Sequence, residues 1–118
     1  MNTRSVSLFF LIILLVLVAC HPLNRPANVA RRFVELVNER NYSAAADLGT
    51  IETKAYLSVL EGLTRGLDTL KKPEGKVIVL STKVNGDTAV CKVSFQDQID
   101  YITMIRIKKR WKVHMAKK

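Results

Sequence analysis

Three observations predict an α+β fold in which three helices pack on a curved, antiparallel four-stranded sheet. Apolar residues recur at three- and four-residue spacing as far as Leu70, they recur at every second residue after Gly75, and Asn85-Gly86 divides the second region like a hairpin turn. Helices that precede the strands, rather than alternate with them, belong to an antiparallel sheet with the helices on one side. The chain has 118 residues, 48% apolar, a formal charge of +9 and two cysteines, which is room for one small domain and excludes a multi-domain enzyme. A domain of this size buries roughly two-thirds of its unfolded surface, enough to fold without a disulfide or a metal.

Residues 20–28 read as a tether and 29–118 as the domain. Val29, Ala30, Phe33, Leu36 and Val37 make one face of an amphipathic helix, and Pro26 suits its first turn. Asn41 is a stop. Ser43 is the expected cap of a second, short helix, Ala44 to Leu48, that Gly49 ends. Thr50 caps a third and longer helix with Glu52 in its first turn, Lys71-Lys72 in its last and Pro73 beyond. Its expected buried stripe is Tyr56, Leu60, Leu63, Leu67 and Leu70, and the sheet is expected to lie over this helix. Gly62 and Gly66 each cost about 1 kcal/mol in a helix interior, which suggests either a closely approaching strand or a tolerated weak spot or kink.

The period then changes to two. A two-residue Asn85-Gly86 loop pairs Val84 with Asp87, Leu80 with Cys91 and Ile78 with Val93, putting Ile78, Leu80, Ala89, Cys91, Val93 and Phe95 on the core face. Ile99, Tyr101, Ile105 and Ile107 form one side of a third strand. Lys108-Lys109-Arg110 turns into a fourth, in which Trp111, Val113 and Met115 point inward and Lys112 and His114 outward.

Ahead of the domain, Arg4 precedes an unbroken apolar run of twelve residues, Leu8 to Ala19. A membrane span needs about 20 residues and a secretory leader about 7 to 15, so residues 1–19 read as a signal peptide. Leu17-Val18-Ala19-Cys20 resembles the lipobox of bacterial lipoproteins. The resemblance implies cleavage between Ala19 and Cys20 and a diacylglyceryl group on Cys20, anchoring the chain to a membrane and leaving Cys91 as the only thiol of the mature chain. His21, in place of aspartate, implies an exported protein on the outer membrane facing the periplasm, or on the outer face of the cell membrane in a host with one membrane.

The order and spacing of Ala30-Arg31-Arg32-Phe33-Val34-Glu35-Leu36-Val37, Asn41-Tyr42-Ser43-Ala44-Ala45-Ala46-Asp47-Leu48, Val84-Asn85-Gly86-Asp87-Thr88-Ala89-Val90 and Arg110-Trp111-Lys112-Val113 resemble the nuclear-transport-factor-two-like, cystatin-like cone, as carried by small bacterial lipoproteins. This implies a curved sheet wrapped around a helix with a pocket between them. The residues expected to line it are Tyr56, Leu60, Cys91, Phe95, Tyr101, Ile105 and Trp111.

Nothing in the chain assembles a catalytic or metal centre. Asp100 and Tyr101 are neighbours on a strand and point apart, Cys91 and His114 fall on opposite faces, and His21 and His114 have no second ligand at metal spacing. No phosphate loop or nucleophile elbow occurs. The expected function is therefore a non-catalytic, lipid-anchored envelope module with no cofactor, binding a small apolar ligand or an envelope protein. The alternatives are an interaction scaffold with a filled core or, less favoured, a small cone-fold enzyme. Lys108, Lys109, Arg110, Lys112, Lys117 and Lys118 offer a contact for anionic lipid or an acidic cell-wall polymer. Export and the scarcity of stacking aromatics beside these lysines argue against nucleic acid.

Overall fold

The computed structural model describes residues 25–67 and 70–115. The leader, the Ala19–Cys20 junction, Lys117 and Lys118 lie outside the described residues. Three helices, α1 (Pro26–Asn38), α2 (Tyr42–Asp47) and α3 (Ile51–Thr64), precede four strands, β1 (Ile78–Asn85), β2 (Thr88–Phe95), β3 (Gln98–Ile107) and β4 (Arg110–Val113). The strands form one antiparallel sheet in the order β1-β2-β3-β4. This is the expected α+β plan.

Helix α1 starts at Pro26, inside the expected tether, because proline fits a first turn whose amide has no partner in any case. It buries Val29, Ala30, Phe33 and Leu36 and lies against all four strands. The sheet thus covers the first helix, not the third as its length suggested. The core combines those four residues with Ala45, Leu57, Val77, Ala89, Cys91, Val93, Met104, Trp111 and Val113. All of these buried residues lie between Val29 and Val113.

Helix α2 is capped by Asn41, whose Oδ1 accepts from the Ala44 amide, not by Ser43. Helix α3 has its expected Thr50 cap but ends at Thr64, well short of Lys71. The chain leaves the helix at Arg65, at ψ 126°, and Gly66, at φ +93°, completes the turn that the Leu67 amide closes on the Thr64 carbonyl; among the described residues nothing beyond their own chain neighbours and helix backbone lies within 4 Å of a Cβ placed at Gly62 or Gly66. Those glycines do not admit a strand. The helix is also rotated from the expected stripe: Thr53 and Leu57 are buried and Leu60 half-buried, whereas Tyr56 is 47% and Leu63 72% exposed, and Leu67 and Leu70 beyond the helix are exposed too. The rotation follows from Thr53, whose Oγ1 donates to the Val113 carbonyl at 2.7 Å and accepts from the Met115 amide at 2.9 Å. Gly49 forms a parallel bridge with Val113, and a Cβ there would come within 2.6 Å of Thr53 Cγ2. That close approach requires glycine.

The β1–β2 hairpin turns at Gly86-Asp87, one residue later than expected, pairing Asn85 with Thr88 and Thr82 with Cys91. Asp87 is held there by Arg106 of β3, whose Nε and Nη2 donate to Oδ1 at 3.0 and 2.9 Å. A bulge between Val79 and Ser81 resets the register, so Val77 and Val79 turn inward while Ile78 and Leu80 face out. In β3 the core side carries Ile102 and Met104, opposite Cys91 and Ala89. The expected core residues Ile99, Tyr101, Ile105 and Ile107 occupy the other face. Trp111 and Val113 are inward as expected.

Candidate functional site

The expected pocket residues do not converge. Cys91 and Trp111 are buried in the core, Leu60 is half-buried on α3, Tyr56 faces solvent, and Tyr101 and Ile105 lie on the far side of the sheet. Cys91 Sγ has Thr82 Oγ1 at 3.7 Å and Met104 Sδ at 4.0 Å, and burial pushes its thiol above the ordinary cysteine value. His114 is only about a quarter exposed rather than solvent-facing, with Nδ1 3.1 Å from Thr50 Oγ1 and 3.9 Å from Glu52 Oε2. Cys91 and His114 therefore have separate partners. Both oxygens meet the same ring nitrogen of His114, whereas a hydroxyl–imidazole–carboxylate relay needs one on each. Among the described residues no group of three or more histidine, cysteine, aspartate or glutamate side chains is placed to hold a metal ion.

Of the expected set, Phe95 alone lines an open groove of about 470 Å³. Its walls are α1, through Arg31, Glu35 and Asn38, with Glu39 just beyond, and the irregular segment that leads into β1, through Lys72, Pro73, Gly75, Lys76 and Val77. Local contacts fix this second wall. Arg40, at φ +60°, donates through Nη1 to the carbonyls of Leu67 and Leu70 at 2.9 and 3.2 Å, and Gln96 Nε2 donates to the Glu74 carbonyl at 2.6 Å. Gly75, at φ +146°, runs close beside the Phe95 ring, where an added Cβ would lie 3.0 Å from Cε2.

One side of the groove is apolar, formed by Pro73, Val77 and Phe95. The other is polar, with Arg31 paired to Glu35 at 3.7 Å. Asn38 Nδ2 is buried in that polar wall with no hydrogen-bond partner among the described residues. A buried amide donor left open costs about 1–3 kcal/mol, so the wall is poised for an acceptor. Sequence periodicity missed Arg31 and Asn38 because they flank the buried stripe of α1 and look like ordinary solvated positions.

Of the basic cluster, Lys108 and Lys109 form an exposed turn, Arg110 opens β4, and Lys112 Nζ is tied to the Asp47 carbonyl at 2.8 Å. Lys112 is thus turned around the sheet edge toward α2. Among the described residues no helix is long and apolar enough to cross a membrane.

Comparison with solved structures finds the same architecture in the crystal structure of a Campylobacter jejuni protein described as an NTF2-like transpeptidase, with a TM-score of 0.57 and 10% identity over 78% of this chain and 99% of that one. The fold is therefore the NTF2-like cone. No family model and no curated protein matches the sequence.

Proposed function

We infer that the chain is a lipid-anchored cell-envelope protein whose cone domain is a non-catalytic binding module. The observation that carries the binding reading is the groove between α1 and the Lys72–Val77 segment. Its volume of about 470 Å³ falls within the range of about 300–1,000 Å³ typical of small-molecule sites. One apolar wall, one charged wall and an open amide donor suit a small amphipathic ligand: an apolar body against Phe95 and Val77, and a carbonyl or carboxylate toward Asn38 and Lys76. Anchoring rests on the Leu17-Val18-Ala19-Cys20 lipobox and the twelve-residue apolar run before it. Two or more acyl chains on Cys20 would hold the protein stably.

The envelope-scaffold alternative has its own support. The core beneath the sheet is filled by Cys91, Met104 and Trp111, and apolar side chains stand exposed on α3 and on the outer sheet face.

Two experiments test the reading. Native mass spectrometry of the mature protein purified from its host should show a reproducible bound mass that is lost in Asn38→Leu and Lys76→Glu, variants whose melting confirms that they fold. A bare polypeptide mass overturns the ligand reading in favour of the scaffold. Cys20→Ser should move the protein from the detergent phase to the aqueous phase on Triton X-114 partition; unchanged partition overturns lipid anchoring.

A further inference from the structure

We propose that the outer face of the sheet docks on an anionic phospholipid bilayer, with Tyr101 and Lys92 at its centre. This deepens the proposed anchoring and rests on it for the nearness of the bilayer. The strand register defines the face. Ala89, Cys91 and Val93 are buried, so Thr88, Val90, Lys92 and Ser94 of β2 point outward, together with their partners Ile105, Thr103, Tyr101 and Ile99 on β3. Pairing extends the same face to Lys83, Ser81 and Ile78 of β1 and to Arg110 of β4.

Two properties of this surface point to one occupant. Every charged outward position is basic: Lys83, Lys92 and Arg110 face out, Lys112 turns around the edge to the Asp47 carbonyl, and the exposed Lys108-Lys109 turn adjoins them. The carboxylates of the described residues sit elsewhere: on the helices, in the Glu74, Asp87 and Asp97 turns, and at Asp100, whose partner is the buried Val93. Among the lysines stand single apolar side chains, with Tyr101 at 66% exposure and Ile78, Val90, Ile99 and Ile107 also exposed. A second copy of this face would set lysine against lysine. An anionic headgroup layer instead takes the lysines at its phosphates, the tyrosine at its interfacial depth and the isoleucines just below.

The tether supplies the distance. Five residues separate Cys20 from Pro26, and the six steps between them reach at most about 22 Å when fully extended. The start of α1 lies beside the start of β1, where Ala27, Asn28 and Arg31 share a cleft with Lys76, Val77, Ile78 and Val79. A lipid on Cys20 would therefore hold the bilayer near the sheet edge that carries Ile78.

The test uses the chain from His21 to Lys118 without lipid, which separates this proposal from the anchoring it rests on. Flotation compares phosphatidylglycerol-containing vesicles with all-phosphatidylcholine vesicles at about 10 mM and about 150 mM salt, where the Debye length is about 30 and about 8 Å. Binding is expected only with phosphatidylglycerol and should weaken at the higher salt. A basic residue near such a surface is worth about 1 kcal/mol, roughly five-fold in affinity, so Lys83→Glu/Lys92→Glu should lose at least about 25-fold. Tyr101→Ala should weaken what binding survives at the higher salt. The same charge change on the helical side, Arg32→Glu/Lys54→Glu, should cost much less. Equal losses from the two sides overturn the proposal, as does no binding at low salt, which would favour an acidic protein partner. A stable dimer in solution that covers Tyr101 also overturns it.

Discussion

Replacing Thr53 with valine tests what sets the rotation of α3. The two side chains have nearly the same shape, but valine lacks the oxygen that donates to the Val113 carbonyl at 2.7 Å and accepts from the Met115 amide at 2.9 Å. Two hydrogen bonds to the backbone are lost, each worth about 1 kcal/mol net, and the Thr50 hydroxyl, 3.1 Å from Thr53 Oγ1, keeps the His114 Nδ1 at 3.1 Å. The Val113 carbonyl keeps the Thr50 amide at 2.9 Å, whereas the Met115 amide is left without its partner. The new methyl would also sit where an oxygen now approaches a carbonyl at hydrogen-bonding distance, too close for carbon. The sum is about 2 kcal/mol, or a fall in Tm of about 8–16 °C for a domain of this size. Thr53→Ser keeps the hydroxyl and loses one methyl, at about 1 kcal/mol. Thermal and urea denaturation should therefore rank wild type above Thr53→Ser and Thr53→Ser above Thr53→Val. A Thr53→Val protein as stable as wild type would show that packing, not the hydroxyl, orients the helix.

Three further outcomes follow from the same geometry. Gly62→Ala should stabilise by about 0.5–1 kcal/mol, read as a higher urea midpoint, because the site is helical and its Cβ meets nothing within 4 Å. Glu52 has its carboxyl held below the ordinary value of 4.5, first by the backbone amide, then by the Thr50 hydroxyl and by His114. A lowered folded-state value gives stability that is present above 4.5 and lost as pH falls through the lower folded value, so a wild-type advantage over Glu52→Gln near neutral pH should vanish in that acid range on a Tm-against-pH series. Cys91 is fully buried with its thiol pushed up, so alkylation by iodoacetamide should follow global unfolding and accelerate with urea; fast labelling of the native protein contradicts the placement.

The buried face of α1, the Thr50 cap and the inward Trp111 and Val113 of β4 were legible because each depends on neighbours in the chain. The failures came where a distant residue decides. Asn85-Gly86 is a strong local turn signal, but Arg106 grips Asp87 across the sheet and moves the loop by one residue. In β3, isoleucines populate both faces, so parity alone could not reveal that Ile102 and Met104 are the inward pair. The remaining hairpins turn at Gln96-Asp97 and Lys108-Lys109, all four residues at positive φ without a glycine or asparagine to announce it. Phe95 was the one expected pocket residue to reach the groove, because strand alternation placed it. Asn38 was missed, since nothing local marks an amide that loses its solvent to the loop packed beside it.

The position of α1 also fixes the order in which the domain can form. This helix is synthesised first, yet its apolar side rests on strands that come last, and Val113 closes the Gly49 bridge only when β4 is in place. An N-terminal fragment therefore has amphipathic helices with no floor beneath them. The β2–β3 and β3–β4 hairpins close short loops and need no distant partner, so they are the cheaper nuclei. Loop-closure entropy therefore favours nucleation in these hairpins over nucleation in the helices. Until β4 is in place, the apolar side of α1 lacks Trp111 and Val113, so the core is completed only by the last strand of the sheet.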